Sequence, residues 1–251
     1  GNCYMSSYLH GASGNRGKCK QLCRLPYSLI KGGRKIKSGY LLSAKDFNMI
    51  DRLNDLKDAG VDAIKIEGRA RRPEYVGLAT REYFNALNGL PTDIKNLQLA
   101  FNRGYTQGYF NGNGNIISNL QNHIGIRVGK VVKVENGKRF NSITFSSNRK
   151  LYKKSAFKFF SGREETTVTA YDLNQISNDT YLLTTTNKVE PNSDVHLIVD
   201  QNLENQVLES VRKRQVEINL YLNVNQPIRA QVLVNQTAIK VEGEVLQTAL
   251  N

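Results

Sequence analysis

The hydrophobic pattern of the chain changes about halfway along its length, and the change limits what the two halves can fold into. In the first half, short apolar stretches at residues 39–43 and 61–68 alternate with segments of helical spacing. The first helical segment ends at Gly60, and the second begins at Pro73 and ends at Gly89. A strand–helix–strand–helix order with short loops predicts a parallel α/β domain. Two such units cannot close a barrel, so we expect further units upstream.

From about Ile124 the pattern is all β. Apolar and polar residues alternate on both sides of an Asn–Gly turn at residues 136–137, as in a β-hairpin. The following alternating runs predict a small closed barrel or sandwich of about 80 residues. The predicted organisation is residues 1–95, the C-terminal part of an α/β domain; 96–123, a connecting segment; 124–200, the small β-barrel; and 201–251, a short helical linker and the start of a further β domain.

The charge of the chain is strongly asymmetric. The formal net charge of the chain is +13. Nine Lys and Arg residues lie between Arg16 and Lys45, and no acidic residue precedes Asp46. Such an excess is typical of proteins that bind nucleic acid, although an anionic surface or a generally basic proteome would also explain it. We expect RNA or another nucleic acid as the partner.

The apolar segments and the number of cysteines indicate the cellular compartment that we expect for the protein. There is no apolar run of about 20 residues and no apolar signal segment, so we expect no membrane partner. The chain does not begin with Met, which suggests a piece of a longer protein. All three cysteines fall within the first 23 residues, an odd number that argues against a disulfide scaffold and for the reducing cytoplasm.

Cys3, Cys19 and Cys23 are spaced C-x15-C-x3-C and are surrounded by lysine and arginine. Nearby cations favour thiolates, which are good metal ligands, but a [4Fe–4S] cluster commonly takes four cysteines. Three unrelated reduced thiols are an equal alternative, and a redox pair of Cys19 and Cys23 is a third. The Gly-Ser loop before Cys19 carries Arg16 and Lys18, which could bind phosphate or simply face solvent.

A second group of candidates follows the predicted strand at residues 61–68. The carboxyl end of a parallel strand is where α/β barrels build active sites. There Glu67 could act as a base, and the four cations Lys65, Arg69, Arg71 and Arg72 could bind phosphates. Lys65 and Glu67 could equally form an ion pair inside the barrel. The same reasoning applies less strongly to Ser43, Lys45 and Asp46.

Hydrolytic machinery is poorly supported by the residues. The chain has three histidines, and His123 and His196 lie in β segments, where a structural role is expected. There is no G-x-S-x-G and no H-E-x-x-H motif.

Several segments resemble the U32 peptidase (collagenase-like) family, in the order in which the family has them. They are GNCYMS, SGNRGKCKQLCRLPY, YLLSAKD, AGVDAIKIEGR and FNRGYTQGYF. The resemblance implies a TIM-like barrel of which this chain holds the last units. It also implies a [4Fe–4S] cluster on Cys3, Cys19 and Cys23, with a fourth cysteine expected upstream. Because position 48 is Asn48, where some relatives carry cysteine, this chain alone should bind a cluster poorly.

The same resemblance implies two activities for the longer protein. Several family members support hydroxylation of RNA bases, and the CRLPY version of the motif resembles the branch that acts on a ribosomal-RNA cytidine; related branches act on a tRNA uridine. The alternative is a collagenase-like peptidase, and a third reading is a binding module without catalysis. For hydroxylation we expect an electron donor as a further partner, catalysis by Glu67 and Arg69, and little activity from this chain alone. The expected substrate-binding residues are Arg16, Lys18, Arg24, Lys45, Lys65, Arg71 and Arg72.

Overall fold

The computed structural model describes most of the chain and divides it into two compact units. The described residues are 3–68, 71–110, 112, 114–162, 164–210, 216–234, 237–245 and 247. The first unit comprises residues 1–209 and the second residues 210–251. Among the described residues, none of the helices has the length and apolar character needed to cross a membrane.

The chain begins with small elements and an exposed hairpin. Helix α1 (Met5–His10) is followed by two short 3-10 helices, Gly14–Arg16 and Leu22–Arg24, and by strands β1 (Tyr27–Lys31) and β2 (Arg34–Gly39). The two strands pair antiparallel. The turn between them consists of Gly32 and Gly33, both with positive φ (55° and 72°), as a tight two-residue hairpin turn requires. The sequence pattern did not predict this hairpin.

The α/β part that follows is built around helices. It contains strand β3 (Asp46–Phe47), the 3-10 helix Ile50–Arg52 and helices α2 (Leu53–Asp58), α3 (Pro73–Leu87) and α4 (Ile94–Ala100), followed by strand β4 (Tyr105–Thr106). Strands β3 and β4 pair in parallel. Ile50, Leu53, Ala79 and Leu97 form a small apolar core. Helix α3 has Pro73 in its first turn, which confirms the predicted start.

The two predicted strands at residues 39–43 and 61–68 are corrected by the structure. A parallel strand is stable only when a neighbouring strand completes its hydrogen-bond ladder. Among the described residues, parallel pairing is limited to β3 with β4. The amide of Val61 instead donates to the carbonyl of Leu56 (3.0 Å), and that of Ser43 donates to the carbonyl of Tyr40 (3.1 Å). Both segments are therefore irregular.

The all-β prediction is confirmed by a seven-stranded antiparallel sheet. Its strands are β5 (Ile126–Asn136), β6 (Asn141–Ser146), β7 (Ala156–Ser161), β8 (Glu164–Thr169), β9 (Asp172–Gln175), β10 (Thr180–Thr185) and β11 (Asp194–Val199). Their order is β8-β7-β11-β5-β6-β10-β9. The predicted Asn–Gly hairpin is the β5–β6 connection, in which Asn136 pairs with Asn141.

The sheet curls around one core, as a half-barrel does. Val168 of the edge strand β8 and Leu173 of the opposite edge strand β9 belong to the same buried cluster, although the ladders of the described residues do not join these two strands. Alternate residues of each strand point inward, for example Ile143 and Phe145 of β6. The prediction of a small β-barrel therefore corresponds to a curled, open sheet.

Helix α5 (Gln201–Glu209) follows the sheet and packs on α3. Gly77 permits the close approach, since a Cβ there would lie 2.3 Å from Cγ1 of Val207. The predicted helical linker is thus helical as far as Glu209; residues 211–215 lie outside the described part. The second unit is a three-stranded antiparallel sheet of β12 (Ile218–Tyr221), β13 (Pro227–Val234) and β14 (Thr237–Val245).

Candidate functional site

A cavity of about 520 Å³ lies in the α/β part of the first unit. Its walls come from the residues around β3 and β4, from the helices α2, α3 and α4, and from the irregular segment at residues 64–67. Its aromatic lining comprises Phe47, Tyr75, Tyr83, Phe101 and Tyr105, and its ionisable lining includes Asp46, Lys65, Glu67, Arg71 and Arg103. This combination of aromatic faces and charged groups suits a planar polar ligand.

The most enclosed charges of the cavity are Asp46 and Arg103, with side chains 19% and 10% exposed. Parallel pairing of β3 with β4 sets Asp46 beside Tyr105, so the guanidinium of Arg103, two residues earlier, reaches the carboxylate. Arg103 donates from Nη2 to Oδ1 and from Nε to Oδ2 (3.3 Å), and its backbone amide donates to Oδ2 (3.0 Å). A two-pronged, charge-assisted contact of this kind holds both side chains in one orientation.

A second guanidinium, that of Arg71, lies over the ring of Phe101 at 3.5 Å from the centroid. Arg103 approaches the same ring at 4.9 Å, and His123 stacks on it with centroids 5.2 Å apart. Burial lowers the pKa of Arg71, and the nearby charge of Arg103 lowers it further. Arg71 stays cationic at neutral pH, because an arginine titrates far above this range. Phe101 is therefore the centre of a cation–aromatic cluster.

Tyrosines complete the wall with hydroxyl groups in defined positions. Tyr83 donates to Oδ1 of Asn48 (3.0 Å) and accepts from the amide of Met49 (3.0 Å). Tyr105 donates to the carbonyl of Phe101 (3.0 Å). Burial raises the pKa of the phenols of Tyr75, Tyr83 and Tyr105, so all three are neutral hydrogen-bonding groups.

Arg24 belongs to the same electrostatic cluster. Its Nη1 donates to Oγ of Ser43 (2.8 Å) and to the carbonyl of Ala44 (2.5 Å), and the fully buried Ser43 donates to the carbonyl of Leu120 (2.7 Å). Burial lowers the pKa of Arg24, and the positive charge of Arg103 adds to the effect. The hydrogen bonds of Arg24 thus position the backbone immediately before β3.

The structure brings some predicted site residues to the cavity and leaves others elsewhere. Lys65 and Glu67 line it on an exposed segment, together with Arg71. The aliphatic stem of Lys45 is half-buried and lies near Gly104. The guanidinium of Arg72 pairs instead with Glu204 of α5.

The remaining predicted residues lie at or beyond the edge of the described site. Arg16 is the last residue of the first 3-10 helix and Lys18 follows in the turn after it; both are exposed. Arg69 lies outside the described residues. Their predicted roles stay predictions.

The three cysteines are free thiols in the N-terminal segment. Cys3 and Cys19 are exposed and Cys23 is half-buried. The amide of Lys20 donates to Oγ of Ser6 (2.9 Å), which ties the Cys19 segment to α1. In the part of the chain that the structure describes, no three His, Cys, Asp or Glu side chains are gathered closely enough to hold a metal ion. The residues present therefore do not form a complete cluster site, and the [4Fe–4S] cluster stays a prediction.

Sequence reasoning missed Phe101 and Arg103, and it missed the tyrosines of the wall. The first two lie in the FNRGY segment, where an aromatic residue, an arginine and a glycine follow a helix; that combination was the available signal. The structural role expected of His123 and His196 is confirmed. His123 accepts from the amide of Asn102 (2.8 Å) and contacts the carbonyl of Ile198 (2.9 Å), and His196 contacts the carbonyl of Ile124 (2.9 Å).

Comparison with known proteins finds similarity in the part of the chain that builds this site. Residues 1–119 match peptidase family U32, and this match includes the whole cavity. The resemblance inferred from the sequence motifs is confirmed.

Individual relatives carry two kinds of names. A "Collagenase" of Porphyromonas gingivalis is 40% identical over 124 residues, which is 45% of this chain and 34% of that protein. The "23S rRNA 5-hydroxycytidine C2501 synthase" of Escherichia coli K12 is 34% identical over 154 residues, 53% of this chain and 24% of that protein. The "tRNA hydroxylation protein P1" of Bacillus subtilis 168 is 28% identical over 104 residues, which is 38% of this chain and 25% of that protein.

The chain spans about a quarter to a third of the length of these relatives. No solved structure matches it.

Proposed function

We propose that the cavity binds a base of RNA and that the whole protein takes part in hydroxylating that base, either a ribosomal-RNA cytidine or a tRNA uridine. The observation that carries this proposal is the cation–aromatic cluster, in which Arg71 and Arg103 surround Phe101 inside a cavity of about 520 Å³. This volume lies within the range of about 300–1,000 Å³ that is usual for small-ligand sites.

Base recognition in RNA uses the groups that this cavity offers. An unstacked base stacks on aromatic rings or guanidinium planes and is hydrogen-bonded along its edges. Stacking contributes about 1–3 kcal/mol per base. Tyr75 supplies an aromatic face, Arg71 supplies a guanidinium plane that Phe101 holds in place, and Lys65 supplies further donors. The base would enter the cavity either from a single-stranded RNA loop or after it has flipped out of a stacked RNA helix.

Two kinds of relatives, the 23S rRNA 5-hydroxycytidine synthase and the tRNA hydroxylation proteins, support hydroxylation as the reaction. Replacing a C–H bond of a base by C–OH removes two electrons from the base, so an oxygen donor and a redox partner must act with this protein. To this chain we assign binding and orientation of the base, with Glu67 as the acceptor of the proton from the reacting carbon. Arg69 is assigned as its catalytic partner on sequence grounds, and Lys45 and Arg72, with Arg16, Lys18 and Arg24, are assigned to phosphate.

Two structural proposals accompany this function. The parallel pairing of β3 with β4 supports a TIM-like barrel in the whole protein, of which these strands are a part. Cys3, Cys19 and Cys23 are proposed as ligands of a [4Fe–4S] cluster completed by a further ligand, and no chemical step is assigned to it. Anaerobic reconstitution of the whole protein, followed by EPR, tests the cluster; a Cys19→Ser and Cys23→Ser double variant should lose the signal.

The function is tested by complementing a deletion strain and measuring hydroxylated nucleosides in its rRNA and tRNA by mass spectrometry. Arg71→Gln removes the cation above Phe101, and Phe101→Leu keeps an apolar side chain but removes the ring. We expect either change to lower hydroxylation about tenfold, as loss of one stacking contact would.

The matched control is Arg52→Gln, because the side chain of Arg52 is 39% exposed, pairs with Asp55 and does not line the cavity. Equal hydroxylation in all variants would contradict the proposal.

Peptidase activity is the second candidate, and the 40% identity to a collagenase is the observation that favours it. His123 and His196 direct ring nitrogens to backbone groups, so neither is arranged as a general base. The test is cleavage of gelatin and of a fluorogenic collagen peptide by the whole protein. Cleavage that is abolished by Arg71→Gln, with hydroxylation unchanged, would favour the peptidase.

A further inference from the structure

The hairpin of β1 and β2 extends from the part of the fold that builds the cavity. Arg24, which belongs to the cavity's charge cluster, is separated from the first residue of β1 by Leu25 and Pro26 alone. Tyr27 anchors the base of the hairpin by donating from its hydroxyl to the carbonyl of Leu22 (2.8 Å). A five-residue strand extends about 16 Å, so the tip lies well away from this anchor.

The hairpin is basic and unusually open. It carries Lys31, Arg34, Lys35 and Lys37, four of the nine cations in the acid-free first 45 residues. All four are exposed. Within the described part of the chain, none of them is joined to a carboxylate by an ion pair.

The register adds an independent observation. Lys31 pairs directly with Arg34 across the two strands, next to the Gly32–Gly33 turn. Like charges placed directly opposite each other destabilise a β-ladder. Lys35 and Lys37 lie opposite Ile30 and Leu29, so three of the first four positions of β2 carry cations and none of them faces a carboxylate across the hairpin. Nothing in the folding of the hairpin requires this concentration of charge, whereas an anionic partner would neutralise it.

We infer that the hairpin Tyr27–Gly39 is an arm that binds the phosphate backbone of the RNA whose base enters the cavity. The inference rests on the proposed function, which supplies RNA as the polyanion and places the substrate base in the cavity whose charge cluster includes Arg24. The cations of the arm contact phosphates on one side of the target nucleotide. The exposed side chains of Leu29, Ile30 and Ile36 lie between them and cover the sugar edges.

The test compares RNA binding by two four-fold variants of the whole protein. The first carries Lys31→Gln, Arg34→Gln, Lys35→Gln and Lys37→Gln. The matched control removes four exposed cations of the curled-sheet region by Lys130→Gln, Lys138→Gln, Lys153→Gln and Lys188→Gln, so both variants have the same net charge. The probes are 23S rRNA and unfractionated tRNA, titrated at several salt concentrations.

We expect the arm variant to bind RNA about tenfold more weakly at 0.1 M salt, with the slope of log K against log salt reduced by about 3. The control variant should lose much less of its affinity for RNA. Equal losses in the two variants, or no loss in the arm variant, would overturn the inference. Binding of the wild-type protein to vesicles with anionic headgroups but not to RNA would also overturn it.

A photo-cross-linking experiment tests the arm independently, so the conclusion does not depend on whether the four-fold arm variant folds. A photoreactive amino acid replaces Ile36 on the arm, and in a separate protein it replaces Tyr171, which is 74% exposed on the curled-sheet region. Cross-links to RNA from position 36 and few from position 171 support the arm. Absence of cross-links from position 36 in a protein that binds RNA contradicts it.

The outcomes separate this inference from the proposed function. If the arm variant binds RNA normally while Arg71→Gln abolishes hydroxylation, only the arm is wrong. If the arm variant loses RNA binding while Arg71→Gln has no effect on hydroxylation, only the cavity assignment is wrong. If the wild-type protein binds no RNA, both fail.

Discussion

The interior of the curled sheet and the interior around the cavity contain different kinds of side chains. In the sheet, Ile143, Phe145 and Phe157 are completely buried among other apolar groups. Around the cavity, the enclosed side chains include Asp46 and Arg103, joined as an ion pair, and a small apolar core lies beside them. The family match covers the second region and ends before the sheet begins.

The difference separates a region organised for stability from one organised for binding. The apolar groups inside the sheet form one closely packed core. The cavity keeps charged and aromatic groups in fixed positions through hydrogen bonds, which costs stability but prepares them to contact a ligand. The following predictions test this contrast, from the largest expected effect to the smallest.

Phe145→Ala should produce the largest loss of stability. The ring is fully buried and contacts Phe157, Phe159 and Tyr181 with centroids 5.6–6.1 Å apart. Truncation of a buried aromatic side chain costs about 3–5 kcal/mol because it leaves a cavity. Urea unfolding measures the change in the free energy of unfolding.

The control for this substitution is Phe47→Ala, whose ring is 68% exposed. We expect a change of less than about 1 kcal/mol there. Similar losses for Phe47→Ala and Phe145→Ala would mean that the two regions do not differ in packing as described.

Asp46→Ala should have an intermediate effect. It leaves the guanidinium of Arg103 enclosed without its carboxylate, and breaking a buried pair in this way costs about 3–5 kcal/mol. Because the carboxylate is 19% exposed, we expect about 2 kcal/mol. Thermal and urea unfolding of Asp46→Ala and Asp55→Ala make the comparison, since Asp55 forms an exposed pair with Arg52 worth less than about 1 kcal/mol. Indistinguishable results for the two variants would show that Asp46 and Arg103 are no better protected from water.

The pH dependence of stability should show the smallest effect. Burial lowers the pKa of His123 below its ordinary value of 6.5, so the unfolded chain binds a proton more readily than the folded one. The contribution of this histidine to stability is therefore present above pH 6.5 and is lost as the pH falls below it. The melting temperature measured between pH 7.5 and 5 should fall less steeply in His123→Gln than in the wild-type protein.

His196 acts in the same direction, because burial lowers its pKa too. The dependence of the melting temperature on pH is therefore reduced, and not abolished, in His123→Gln. The His123→Gln and His196→Gln double variant serves as the reference. A wild-type slope identical to that of the double variant would contradict a neutral, buried imidazole beside Phe101.

The predictable elements are those whose signals are local. Helix α3 was predicted from Pro73 to Gly89 and extends from Pro73 to Leu87, because a proline in the first turn and a glycine after the end act on the backbone directly. The β5–β6 hairpin was predictable for the same reason, since an Asn–Gly turn joins two alternating strands. The segment at residues 61–68 was not, because an apolar run becomes a strand only when another strand lies beside it.

The candidate site was predictable in part. Asp46, Arg71 and Glu67 were proposed from their positions after apolar segments, and the structure places all three on the cavity. Arg103 and Phe101 come from a part of the chain 30 or more residues away from Arg71. Their contribution depends on the parallel pairing of β3 with β4, which the sequence pattern does not specify.

The sequence by itself determined the change from α/β to all-β structure, the similarity of the first half to peptidase family U32, and the concentration of positive charge in the first 45 residues, because periodicity, motifs and charge are properties of neighbouring residues. Only the tertiary structure decided that Arg71 and Arg103 meet at Phe101 and that Lys31 faces Arg34 on an exposed arm. The physical reason is that these contacts depend on how the backbone segments are placed in space, and that placement is set by strand pairing and packing.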